Sequence, residues 1–219
     1  MQVARQRGRE RLVKRLPAGG IIVISNHTSY ADGVLLALVC RRLGRSLRLL
    51  ATSGVFRVPV IGALVARLGF IPVERGTTSA ASSLDTAVEA IEAGEAVGIF
   101  PEGRLTRDPD QWPERAKTGA VRLALRTGAP VIPVAMVGAH RVLGDRGRVK
   151  QVLKNLLMRP RVETAVGEPI DVGALVDNAD DAAQVRAATD VVMTALIDLV
   201  EAVRGEIAPD AAGVAPAAP

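Results

Sequence analysis

Aromatic residues are scarce in this 219-residue chain, only 2% of it, so side chains that stack on nucleobases are nearly missing and a single-strand nucleic-acid binder is disfavoured. Cysteine occurs once, at Cys40, which excludes an intramolecular disulfide, and with two histidines in all no Cys/His cluster suggests zinc. A reducing interior is the expected setting. Long apolar runs are missing as well. The stretches 33–40, 58–66 and 131–139 fall well short of the roughly 18 consecutive residues of a spanning helix, and the N-terminal region has no signal-peptide apolar core. Lysine stands only at Lys14, Lys117, Lys150 and Lys154, so the net charge of +5 is carried mostly by arginine. Genome base composition explains such an excess, and so does a need for the guanidinium fork that grips phosphate and carboxylate.

Hydrophobic residues make up 48% of the chain, so Ala, Val, Leu and Ile must supply the core, and the length suits one large domain. Short β-rich runs at 20–25, 47–51, 69–73, 96–100, 131–137 and 161–166 alternate with helical patterns. That alternation predicts an α/β fold with a largely parallel mixed sheet flanked by helices. Leu84, Ala87, Val88 and Ile91 mark one helix face ended by Gly94; a second helix is expected from Lys117 to Arg126 with Gly128 after it. Val185, Ala188, Val192, Leu196, Leu199 and Val203 describe a long final helix. The expected division is a single domain over 1–207, opened by a basic lead-in (Arg5, Arg7, Arg9, Arg11, Lys14, Arg15), and a disordered tail over 208–219. From Arg141 to Arg161, apolar residues at 152–153 and 156–158 lie among Lys150, Lys154 and Arg159. This stretch reads equally as an interfacial amphipathic helix or as a helix packed on the sheet with its cations in water.

The chemistry points first to Asn26-His27-Thr28-Ser29-Tyr30-Ala31-Asp32, which directly follows a strand-like run. A histidine at a strand end with a carboxylate five residues on is a candidate base and its orienter. On one regular helix those two side chains would diverge by about 140°, so they meet only if His27 lies in the loop before the helix. Ser29-x-x-Asp32 approximates a capping box ahead of the apolar run 34–39, which puts Asp32 in the first helical turn. Taken alone the spacing is weak, since a turn and its cap explain the same residues. Ser29 reads as a cap or as an activated hydroxyl; Cys40, in an apolar run, reads as core.

Three further segments fall at or near strand ends, where an open α/β sheet places its ligand site: Gly69-Phe70-Ile71-Pro72-Val73-Glu74-Arg75 and Phe100-Pro101-Glu102-Gly103-Arg104 each end a strand, and Val131-Ile132-Pro133-Val134 lies within one. With these the chain resembles the glycerolipid acyltransferases, the lysophosphatidic acid acyltransferase family, whose four ordered blocks read N-H-x-S-x-x-D, G-x-x-P-x-x-R, F-P-E-G and V-x-P-V. Gly167-Glu168-Pro169-Ile170 also looks like the family's closing segment. The resemblance implies a glycerol-3-phosphate acyltransferase-like fold in which His27 deprotonates a glycerol hydroxyl and Asp32 orients the imidazole. The hydroxyl then attacks acyl-CoA or acyl carrier protein, used as co-substrate with no cofactor and no metal. By the same resemblance Arg75, Glu102 and Gly103 bind the glycerol phosphate of the acceptor, and Lys117 looks like the lysine that often follows the third block. Arg104 stands where threonine is usual and adds a cation beside the pocket.

The implied activity is transfer of a fatty acyl group to lysophosphatidic acid, giving phosphatidic acid. Another lysophospholipid, glycerol phosphate or a hydroxylated lipid is the alternative acceptor. Hydrolysis and non-catalytic lipid binding are the other readings. The implied partners are a lysophospholipid acceptor, an acyl thioester donor and a peripheral membrane surface, with no nucleic acid. Only 25 mixed residues precede Asn26, where many relatives carry membrane-embedded helices, so a cytoplasmic protein peripheral to the inner face of the cell membrane is expected.

Overall fold

The computed structural model describes residues 2–3, 15–59, 61–73, 79–143 and 161–205. Arg75, most of the basic lead-in, the stretch 144–160 and the tail from residue 208 lie outside these residues. In chain order the elements are β1 (Gln2–Val3), β2 (Ile21–Ser25), α1 (Asp32–Arg42), β3 (Leu47–Thr52), α2 (Ser53–Phe56), α3 (Ile61–Arg67), β4 (Ile71–Val73), α4 (Ser79–Glu92), β5 (Ala96–Ile99), α5 (Gly119–Thr127), β6 (Val131–Val137), α6 (His140–Leu143), β7 (Glu163–Val166) and α7 (Ala182–Arg204).

In β2, large apolar residues occupy both parities, as a strand covered on both faces requires, and all five residues are buried. Ile22 and Ile24 pack against α4, α5 and α7, whereas Ile21 and Val23 face α1 and the α2–α3 segment. The seven strands run in the order β1-β7-β6-β2-β5-β3-β4, parallel at every pairing but β6–β7. The α/β architecture with a largely parallel mixed sheet is therefore the one the periodicity predicts, with the six expected strands in place. The short β1, α2, α3 and α6 had no periodic signal long enough to mark them.

From β2 the chain steps outward to β3 and β4 with α1 to α3 on one face, then returns through α4 to β5 and through α5 to β6 on the other. Adjacent strands β2 and β5 thus send their connections to opposite faces. Such a switch opens a crevice at the strands' C-terminal ends. Gly128 closes α5 in the left-handed region (φ 67°), donating to the Ala124 carbonyl, and Asp181 caps α7 by accepting from the amides of Ala183 and Gln184. No described helix is long and apolar enough to cross a membrane.

Candidate active site

The crevice between β2 and β5 holds the chain's first histidine. Asn26, just past β2, donates from Nδ2 to the Met136 carbonyl and accepts from the Met136 amide through Oδ1, each at 2.8 Å. The asparagine thereby continues the β2–β6 ladder by one side chain. His27 follows in irregular backbone, as its meeting with Asp32 requires. Its amide donates to Glu102 Oε1 at 3.0 Å, and its carbonyl accepts from the Thr106 amide at 2.8 Å. The ring stacks on Phe100 at 4.1 Å between centroids, with 9° between planes. Nδ1 lies 3.0 Å from Asp32 Oδ2. Backbone, ring face and one ring nitrogen are therefore all held.

Asp32 is fully buried. Its Oδ2 also accepts from the amides of Thr28 at 2.6 Å and Ser29 at 2.7 Å, so the carboxylate is fixed before it orients the imidazole. Asp32 Oδ1 and Thr28 Oγ1 are buried with no hydrogen-bond partner among the described residues. The capping box forms only in part. The helix N-cap is Ala31, with no side-chain cap, and Ser29 Oγ accepts from the Ala31 amide at 3.1 Å. Ser29 therefore shapes the turn two residues before the cap, while Asp32 reaches back to three donors and draws the loop around itself.

Glu102 is 4% exposed and spends one oxygen on the His27 amide and the other on the Glu114 amide, both at 3.0 Å. It ties the loop after β2 to the long loop after β5. Burial pushes its carboxyl up to about 7, against the two amide donors that favour the charged form. Gly103 takes φ +71°, and a Cβ there would lie 3.2 Å from Lys117 Cε and Nζ. The exposed Lys117 thus runs across Gly103, and its amide donates to the Pro101 carbonyl at 2.9 Å. Arg104 pairs with Glu114 at 2.6 Å, so its charge is partly met within the loop.

Of the expected site residues, the fold gathers His27, Asp32, Glu102, Gly103, Arg104 and Lys117 around one crevice. Arg75 lies outside the described residues, and β4, which leads to it, ends three strand positions from β2, about 14 Å across the sheet. Cys40 is buried in the core and its thiol is pushed up to about 12 by burial, so it is no nucleophile. Phe100, Glu114 and Thr106 support His27 unforeseen. Phe100 opens the F-P-E-G block, the one signal that could have marked it. The second histidine, His140, starts α6 beyond β6 and is half-buried. Burial, Arg141 and Arg204 lower its pKa while Asp32 acts the other way.

A held imidazole with a buried carboxylate on Nδ1 leaves Nε2 to exchange a proton, the arrangement of a general base. Over 123 residues the chain is 32% identical to a chloroplastic 1-acyl-sn-glycerol-3-phosphate acyltransferase of Brassica napus, covering 56% of this chain and 34% of that one. It is 29% identical over 143 residues to the 1-acyl-sn-glycerol-3-phosphate acyltransferase of Bacillus subtilis, covering 64% of this chain and 68% of the relative. The chain spans about a third of the length of the plant relatives it matches. The crystal structure of the 1-acyl-sn-glycerophosphate acyltransferase PlsC from Thermotoga maritima shares the fold, with TM-score 0.62 over 90% of this chain and 70% of that one at 20% identity. Because the acyltransferase family model matches residues 5–137, more than half of the chain and every residue gathered in the crevice, the chain belongs to the acyltransferase family.

Proposed function

We propose that this chain is an O-acyltransferase that moves a fatty acyl group from acyl-CoA or acyl carrier protein to the free hydroxyl of lysophosphatidic acid, giving phosphatidic acid. His27 is the general base and Asp32 its orienter. The observation that carries the reading is the 3.0 Å contact of Nδ1 with a buried carboxylate in the crevice where an open α/β sheet binds its ligand. The names of the Brassica and Bacillus relatives support the acceptor.

With Asp32 accepting Nδ1–H, the lone pair sits on Nε2. The acceptor hydroxyl gives its proton to Nε2 as its oxygen attacks the thioester carbonyl. The tetrahedral intermediate then collapses, the C–S bond breaks, and the thiolate takes the proton back from the imidazolium. Ester and thiol are the products, and the base is restored. The thioester is already a good acyl donor, so neither a covalent acyl-enzyme nor a metal or prosthetic group is needed. Lys117, Arg104 and Arg75 supply cations to the acceptor phosphate, and Gly103 leaves room beside them. We assign Glu102 to positioning rather than to the acceptor, since both its oxygens are engaged with backbone amides. The enzyme works as a peripheral protein at the inner face of the cell membrane.

The test is thiol release from an acyl-CoA series, with and without lysophosphatidic acid, for the parent and His27→Ala. Acceptor-dependent release that the substitution abolishes is expected. Acceptor-independent release would make the protein a thioesterase, and release that survives the loss of His27 would remove the base from the mechanism.

A further inference from the structure

The layer formed by α1, α2 and α3 has a charge pattern of its own. From Gly33 to Val73 the sequence contains no Asp or Glu and carries arginine at 41, 42, 45, 48, 57 and 67. Two of these serve the fold: Arg45 donates to the carbonyls of Pro17, Gly19 and Gly94, and Arg48 pairs with Glu95. Arg41, Arg42, Arg57 and Arg67 are exposed, and none forms an ion pair with a described carboxylate.

Apolar side chains stand in water among these cations. Tyr30 is 61% exposed, and Leu38, Val58, Ile61 and Leu64 are exposed with it, five of the seven large hydrophobic residues exposed in the described structure. Val58, Ile61, Leu64 and Arg67 follow at three-residue steps along one outer stripe, while Gly62 and Val65 are buried on the other side of α3. On α1, Val34, Leu38 and Arg42 follow at four-residue steps, and Tyr30 stands in the turn just before the helix. Both stripes belong to the same face of the sheet, with α1 packed over β3 and α2 over β3 and β4. Since β2 and β3 both run parallel to β5, Tyr30 and Val58 follow strand ends at the edge where His27 sits.

Exposed apolar side chains ringed by unpaired arginines fit a surface that is anionic outside and apolar just beneath. A second copy of the same face would set arginine against arginine. We propose that the outer face of α1 and α3 is a docking surface for an anionic lipid bilayer, with Tyr30, Leu38, Val58, Ile61 and Leu64 entering the headgroup boundary and Arg41, Arg42, Arg57 and Arg67 meeting lipid phosphates. The inference deepens the acyltransferase reading, because a protein docked this way presents the His27 crevice to acceptors that never leave the membrane.

The test pellets the full chain with vesicles of phosphatidylcholine alone and of phosphatidylcholine mixed with phosphatidylglycerol. It compares the parent with Ile61→Ser/Leu64→Ser and with Arg57→Gln/Arg67→Gln, all exposed positions, after circular dichroism has shown each to be folded. Binding to the anionic vesicles is expected to weaken roughly tenfold or more in both variants, and in the parent as salt is raised. Transfer to vesicle-embedded lysophosphatidic acid should fall in step, while transfer to a short-chain acceptor dissolved as monomer stays at the parental rate. Equal vesicle binding by parent and variants would overturn the proposal. So would a parental dimer that Ile61→Ser/Leu64→Ser dissociates, or a parent that ignores anionic vesicles yet acylates the monomeric acceptor. Vesicle binding through this face without transfer to any acceptor would leave the docking surface standing and remove the acyltransferase reading instead.

Discussion

The two histidines of the chain follow neighbouring parallel strands at one edge of the sheet, His27 after β2 and His140 after β6, yet their surroundings are opposite in kind. His27 has a buried carboxylate on Nδ1, an aromatic ring under its face and a backbone amide clamped by Glu102. His140 is faced by Arg141 and Arg204, and burial and those two cations hold its pKa down against the pull of Asp32. An imidazole that must accept a proton as a reaction proceeds needs a neighbour that stabilises the cation, and only the first site provides one within hydrogen-bond reach. Position at the strand ends is therefore shared, and the supporting groups make the difference.

Removing the favoured partner should break the contrast most. His27→Ala is expected to lower acceptor-dependent thiol release roughly 10²–10⁴-fold, measured as kcat/KM with a soluble acceptor. Next comes Asp32→Asn, expected at roughly 10²–10³-fold in the same assay. An amide that donates to Nδ1 selects the wrong tautomer and puts the proton on Nε2.

Glu102→Gln tests the clamp and sharpens the comparison through pH. One end of the amide side chain meets a backbone N–H with its own NH₂, so one of two clamp bonds is lost, and kcat should fall about 10- to 100-fold with a smaller change in KM. In the parent, protonating Glu102 below about pH 7 removes the same kind of acceptor, so the acid limb of the activity profile should include a step there that the Gln variant lacks. The stability effect has a definite sign. A carboxyl raised in the folded state keeps its proton between pH 4.5 and about 7 while the unfolded chain loses it. The contribution of this group thus falls as pH rises through that window, by at most about 1.4 kcal/mol per pH unit, and urea unfolding of parent and Glu102→Gln across it would measure the difference. The smallest effect belongs to the other histidine: His140→Ala should change kcat/KM by less than about threefold near pH 7.5, where an imidazole with a lowered pKa carries little charge.

How much of this was legible varies residue by residue. The Asn26 to Asp32 run was readable because residue type and spacing are local, and the expectation that His27 must lie outside the helix is met by irregular backbone at that position. The long final helix was equally plain, since its apolar stripe repeats over Ala182–Arg204. Glu102 was marked as a candidate by its block but not as a clamp, because its partners are backbone amides, which leave no mark in a sequence. The capping box misled by two residues: the helix starts after Ala31, Ser29 Oγ accepts only from the Ala31 amide, and Asp32 turns back to the Thr28 and Ser29 amides. The segment Val58 to Ala66 read only as a short apolar run, and whether Ile61 and Leu64 face the core or water depends on which sheet face α3 covers.

By itself the chain determined the alternation of strand and helix, the lack of disulfides, and a base and carboxylate five residues apart, because hydrophobic period and residue chemistry act locally. Tertiary structure alone decided that β2 and β5 lie side by side with their connections leaving to opposite faces. It also brought Glu102 across 75 residues to hold the His27 amide and left one helical layer apolar and cationic toward water. Those outcomes depend on strand order and on backbone donors meeting distant acceptors, and neither is encoded in any short stretch of residues.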